Sequence, residues 1–87
     1  MKELLHFTMP GSTICEQMQP TIDKLLSNCP DIHYTKINVN NDDGLYRFYS
    51  SKYDLSQCPS FLGLVDGKVQ DGHIGFAPLL VLEALVN

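Results

Sequence analysis

Residues 7–15 read Phe7-Thr8-Met9-Pro10-Gly11-Ser12-Thr13-Ile14-Cys15, and the arrangement of the whole chain follows from how this stretch folds. Upstream of it, Glu3 to Thr8 is short, apolar and bulky, which predicts a buried strand. Met9-Pro10-Gly11-Ser12 is a cluster of breakers that ends the strand and offers Ser12 as a helix N-cap. From Thr13 to about Asn28 the apolar residues Ile14, Met18, Ile22, Leu25 and Leu26 recur at helical spacing. Pro20 lies inside this helix, where it removes a backbone donor and is expected to kink the axis. Asn28-Cys29-Pro30 closes it.

Beyond the first helix, Ile32 to Val39 alternates apolar and polar residues around Lys36 and predicts a second strand. Asn40-Asn41-Asp42-Asp43-Gly44 is a polar turn, and Leu45, Phe48, Tyr49 and Tyr53 supply a second helical face. Gln57-Cys58-Pro59-Ser60 leads into a third strand, Phe61 to Val65. Asp66-Gly67 is a strong two-residue hairpin signal, with Lys68 to Ile74 as the returning strand. Gly75-Phe76-Ala77-Pro78 breaks the chain again, Pro78 being suited to the first turn of a last helix, Leu79 to Val86. The order βαβαββα predicts an α/β fold: a mixed four-stranded sheet with helices on both faces, three in all. No repeat, linker or change of composition divides residues 1–87, so a single domain is expected.

Composition narrows the function. Among 87 residues, 44% are hydrophobic and 18% charged, an ordinary globular balance, and the formal net charge is −4. Six Lys and Arg (Lys2, Lys24, Lys36, Arg47, Lys52 and Lys68) are scattered along the chain, which argues against a nucleic-acid partner. No apolar run approaches a membrane helix, and the start of the chain turns polar too soon for a signal peptide. A cytoplasmic setting is therefore expected. The three cysteines, Cys15, Cys29 and Cys58, are too few and uneven for a secreted disulfide scaffold. His6, His33 and His73 stand apart from any paired zinc-ligand spacing, so neither a metal nor a cofactor is expected.

In order and spacing, these segments resemble the thioredoxin superfamily over essentially all of the chain. Phe7 to Cys15 looks like that family's strand, loop and redox motif, and Pro20 looks like its helix-kinking proline. Cys58-Pro59-Ser60-Phe61 resembles the segment with the family's cis-proline. Asp66-Gly67-Lys68 and Ile74-Gly75-Phe76 resemble its hairpin and following glycine loop. The resemblance implies a minimal thioredoxin fold and a thiol–disulfide oxidoreductase. The departure is at position 12, where the family's Cys-x-x-Cys motif has its first cysteine. In a dithiol cycle one thiolate attacks a substrate disulfide and a second thiol resolves the mixed disulfide. At the start of a helix, positions i and i+3 lie ~5–6 Å apart, close enough for a disulfide. A serine hydroxyl can take neither part, so the chain as written is blocked in a 12–15 cycle. The Met-Pro-Gly approach resembles the entry to glutaredoxin and small thioredoxin motifs, which favours a parent with cysteine at position 12. A native Ser-x-x-Cys of a single-thiol or redox-inactive relative is the other reading, and Ser12 caps the helix in either case.

By this resemblance Cys15 is the shielded, resolving thiol, whereas a lone helix cysteine is otherwise a small buried hydrophobe. His6 stands where thioredoxins often have a buried acid, and an imidazole titrating near pH ~6–7 is suited to shuttling the resolving thiol's proton. A core histidine without that role is the alternative, and Lys36 matches the strand lysine that pairs with the family's acid. Gly11, Thr13, Ile14, Cys58, Pro59, Ile74, Gly75 and Phe76 are expected to ring the site as a docking surface. Cys58 is read as shaping the groove rather than as an auxiliary thiol, and Cys29 as structural. Asp42, Asp43, Arg47 and the nearby tyrosines read as a solvated face. The implied partners are disulfide-bearing proteins, ribonucleotide reductase among them, and a thioredoxin-reductase-like donor, with the chain a monomer. Two other functions compete. One is a non-catalytic binding module using the groove beside Pro59. The other is a peroxidase built on Ser12-x-x-Cys15, for which the chain is too short.

Overall fold

The strand predicted from Glu3 to Thr8 forms as β1, Lys2–Thr8, in which every residue from Leu4 to Thr8 is buried. A strand buried on both faces needs cover on both, and the remaining elements supply it. In the computed structural model, residues 1–9, 11–41, 44–53, 55 and 57–86 are described. The expectations for Pro10, Asp42 and Asp43 lie outside those residues. After β1 come α1 (Thr13–Gln17), α2 (Gln19–Asn28), β2 (His33–Asn38), a 3-10 turn (Val39–Asn41) and α3 (Gly44–Ser50). The chain continues through β3 (Ser60–Val65), β4 (Lys68–Ile74) and α4 (Leu79–Leu85).

The sheet has the order β2-β1-β3-β4. β1 runs parallel to β2, with His6 opposite Lys36, and antiparallel to β3, with Phe7 opposite Ser60. β3 and β4 form the hairpin expected at Asp66-Gly67, whose φ angles of 52° and 83° are the left-handed pair of such a turn. The mixed four-stranded sheet is therefore as the sequence predicts. Alternation along β1 divides the core in two. Leu4 packs with Met18, Ile22, Leu25, Phe61, Leu82 and Leu85 under α2 and α4. Leu5 and Phe7 pack with Ile37, Leu55, Leu62 and Leu64 on the opposite face, against Tyr46 and Tyr49 of α3. Burying each such side chain contributes about 1.5–3 kcal/mol.

Two elements differ from expectation. The first helix is interrupted at Met18, two residues before Pro20, into two segments, α1 and α2, with Met18 itself still in the helical region. Pro20 has no N–H to offer the Glu16 carbonyl and its ring would collide with it, so the first segment ends early. Met18 closes it (φ −75°, ψ −20°) with an N–H to the Cys15 carbonyl at 3.3 Å, and Pro20 sits in the first turn of α2. Pro78 is the N-cap of α4, one residue ahead of the expected first turn. Its ψ of 161° is extended, and its carbonyl accepts from the Val81 and Leu82 N–H groups.

Gly63 is where α4 comes closest to the sheet. A Cβ built there falls 1.9 Å from the Leu85 carbonyl oxygen, a backbone atom with nowhere to go. Gly63→Ala is expected to cost about 3 kcal/mol or more, by overpacking, in equilibrium urea denaturation. Gly72→Ala is expected to cost less, because there the Cβ meets the movable Leu62 Cδ2 at 3.0 Å and the Phe61 carbonyl oxygen only at 3.2 Å.

Candidate functional site

Where β1 ends, Thr8 is the last strand residue and the chain turns through Met9 and Gly11 (φ 83°) into α1. Ser12 caps α1 as expected: its side chain accepts from the Cys15 N–H at 3.4 Å, and its carbonyl accepts from the Glu16 N–H at 3.1 Å. Cys15 is thereby turned inward and buried, while Thr13 and Ile14 on the same short helix are exposed. Burial opposes ionisation of the Cys15 thiol. Hydrogen bonds from the Met9 N–H and the Thr8 and Ser12 hydroxyls, together with the charge of Lys36, outweigh it and lower the pKa below the ordinary thiol value.

The second strand of the site enters from the opposite direction. The Cys58–Pro59 peptide is cis, as the resemblance implied, and Pro59 is buried. Ser60, fully buried, bonds through its hydroxyl to the Gln57 carbonyl, and the Gly75 N–H donates to the Pro59 carbonyl at 2.7 Å. Gly75 has φ 92°, a backbone state that favours glycine, and it leaves Ile74 and Phe76 exposed on either side. Phe7 pairs with Ser60, so Thr8 and Pro59 are the next residues beyond the ladder. Cys58 is half-buried. Its thiol pKa is raised, by burial first and then by the charge of Cys15. Cys29 lies apart, at the C-cap of α2 against the core under that helix. All three cysteines are free thiols.

His6 is buried on the α2 face of β1, two residues before Thr8, stacked on Phe61 with ring centroids 4.6 Å apart. Its Nδ1 shares a hydrogen bond of 2.9 Å with the Tyr34 hydroxyl, and its buried Nε2 has no partner among the described residues. Burial, and then the Lys36 charge, lower its pKa to about 4, so the expected titration near neutrality does not occur. Lys36 faces His6 in register, but its ammonium contacts Gln19 Oε1 at 3.5 Å instead of pairing with a buried acid. An open cleft lies beside Cys15 on the β2 side, with Thr8, Gln19, Lys36 and Asn38 in its walls.

Sequence reasoning missed three groups. The Thr8 hydroxyl and Met9 N–H reach the thiol because β1 ends directly beside it, and the breaker cluster was the available signal. Tyr34 reaches His6 diagonally, since it pairs in register with Leu4. Strand alternation puts Tyr34 on a face without fixing that register.

A parallel β1-α-β2 unit continued by an antiparallel hairpin, with a buried cysteine at the start of α1 and a cis-proline at the entry to β3, is now in place. The chain has the thioredoxin-superfamily fold. A thioredoxin of Bacillus subtilis is 29% identical over 85 residues, covering 97% of this chain and 78% of that protein. Thioredoxin-2 of the malaria parasite protein secretion machinery superposes with a TM-score of 0.84 at 20% identity, over 98% of this chain and 80% of that one. The oxidized mitochondrial thioredoxin 3 from Saccharomyces cerevisiae gives 0.81 at 23% identity, over 97% and 76%. No family model matches the chain.

Two outcomes follow from this geometry. Ser12→Ala removes both a thiol hydrogen bond and the α1 cap. It is expected to move the midpoint of Cys15 alkylation, followed against pH, upward, and to cost about 1 kcal/mol of stability. Thr8→Val is expected to move the midpoint the same way. For His6, the folded-state pKa of about 4 lies below the unfolded value of 6.5, so the unfolded chain binds the extra proton between them. Stability is therefore lost as pH falls from 6.5 towards 4, by about 3 kcal/mol for this group, and the loss levels off below. Urea denaturation at pH 7 and pH 4 is expected to show that increment in the parent and not in His6→Leu.

Proposed function

We propose that this chain is built for thiol–disulfide exchange with protein substrates, the chemistry centred on residues 12 and 15. The observation that carries the proposal is the setting of Cys15. Its thiolate is favoured by the Met9 N–H and the Thr8 and Ser12 hydroxyls, and Thr8 lies at the ladder end that Pro59 shares. A cysteine at position 12 is the attacking thiol in this proposal. It opens the substrate disulfide, and Cys15 then attacks the mixed disulfide, closes the 12–15 bond and releases the reduced substrate. The Ser12 chain is blocked in that cycle, because a hydroxyl forms no disulfide.

In this reading Pro59 and the Gly75 loop form a groove for the substrate backbone. Ile14, Ile74 and Phe76, each roughly half exposed, supply its apolar rim. Gly11 leaves the approach open, since among the described residues no atom outside its chain neighbours lies within 4 Å of the place a side chain would occupy there. His6 enters as a neutral imidazole anchored to Tyr34 rather than as a base poised near pH 7, which weakens the proton-shuttle role read from the sequence. Disulfide-bearing proteins are the substrates. The electron donor is a thioredoxin-reductase-like enzyme, and ribonucleotide reductase is a candidate acceptor. The protein acts as a cytoplasmic monomer.

The exposed rim also suits a module that binds without turnover, and one comparison separates the two. Ser12→Cys is expected to reduce insulin disulfides with dithiothreitol as donor, at least about 100-fold faster than the Ser12 chain, and adding Cys15→Ser is expected to abolish the gain. No gain from Ser12→Cys, with partner capture surviving Cys15→Ser, would support the binding module instead.

A further inference from the structure

A half-buried second thiol at the site has no part in the 12–15 cycle. Cys58 stands immediately before Pro59, in the segment that enters β3, and Pro59 is the residue next beyond the Phe7–Ser60 pair. Thr8, across the end of that ladder, hydrogen-bonds the Cys15 thiol. One residue thus has Cys15 on one side and the Cys58–Pro59 turn on the other. Residues 57–59 belong to neither a helix nor a strand, and the hydrogen bonds that hold the segment are made to the Gln57 and Pro59 carbonyls on either side of Cys58. Cys29 has no comparable access, being held at the far end of α2 against the core.

We propose that Cys58 is the resolving thiol of the Ser12 chain, so that Cys15 and Cys58 form a redox pair which bypasses position 12. This rests on the thiol–disulfide exchange reading above. The Cys15 thiolate attacks one sulfur of a substrate disulfide, forming a Cys15–substrate bond and expelling the other sulfur as a thiolate that takes a proton from water. Cys58, deprotonated in turn, attacks Sγ of Cys15. The Cys15–Cys58 bond forms, the Cys15–substrate bond breaks, and the second substrate sulfur leaves as thiolate. The substrate disulfide gains two electrons, the two cysteines lose two, and an external dithiol restores them. The electrostatics suit this order of events. The Cys15 thiol is the more readily ionised, and the charge of Cys15 reaches Cys58 strongly enough to raise its pKa. Once Cys15 is capped as a mixed disulfide that charge is gone, and of the two restraints on ionising Cys58 only burial remains.

The test uses the full Ser12 chain carrying Cys29→Ser, reduced and then exposed to oxidised glutathione, with intact and peptide mass followed over time. A glutathione adduct on Cys15 is expected to appear and decay into a monomer containing a Cys15–Cys58 linked peptide. With Cys58→Ser or Cys58→Ala added, the adduct is expected to persist at least about tenfold longer. An adduct that persists equally with Cys58 present, or a linked peptide found only in covalent dimers, would overturn the redox pair while leaving Cys15 reactivity standing. No adduct on Cys15 at all would overturn the exchange reading and the pair together. The two substitutions at position 58 guard against a folding defect, since both must fold and give the same long-lived adduct.

Discussion

The antiparallel pairing of β1 with β3 is the constraint on which the site depends. Phe7 opposite Ser60 fixes where the two strands end, and with it the meeting of Thr8 with the Pro59 turn. Slipping that register by one would turn Leu5 and Phe7 out of one core layer and His6 and Thr8 out of the other. Neither layer tolerates this, because both faces of β1 are buried. Hydrophobic burial in two separate clusters therefore sets the approach of the two loops.

Local chemistry then completes what the register begins. The Cys15 thiol lies in a place that burial alone would make unfavourable for a thiolate, and short-range donors reverse the balance. Two of those donors, Thr8 and Met9, come from the strand end and one from the helix cap. Ser12 thus has a structural use whatever its history: it holds the first turn of α1 and solvates the sulfur beside it. Burial acts on His6 as well, and there the charge of Lys36 adds to it rather than opposing it, so the imidazole stays neutral down to about pH 4.

Much of this was legible in the sequence, for identifiable reasons. Period-2 alternation located β2, and the apolar run between Cys58-Pro59-Ser60 and the Asp66-Gly67 pair located β3 and the hairpin, to within a residue or so, because strand faces and left-handed turns leave strong local signals. Pro20 announced a disruption but not its position, since the steric conflict lies at the Glu16 carbonyl and is relieved at Met18, upstream of the proline. The pKa of His6 was misjudged because desolvation depends on Phe61 and on what else covers the ring, which no local pattern encodes. Tyr34 escaped notice for the related reason that its contact depends on the parallel register between β1 and β2.

β4 closes the sheet on one side, and among the described residues its outer rim of N–H and carbonyl groups has no strand beyond it. Such a rim invites another chain to add a strand. Here the ladder slips between Gly63 and Leu64, so that Asp71 and Val69 are consecutive partners and Gln70 is left over. The slip bends the rim, and the exposed Lys68 and Asp71 place opposite charges along it. An approaching strand would have to match a broken repeat and desolvate both charges. The molecule therefore presents apolar groups around Ile74 and Phe76 while denying them a flat edge on which to polymerise.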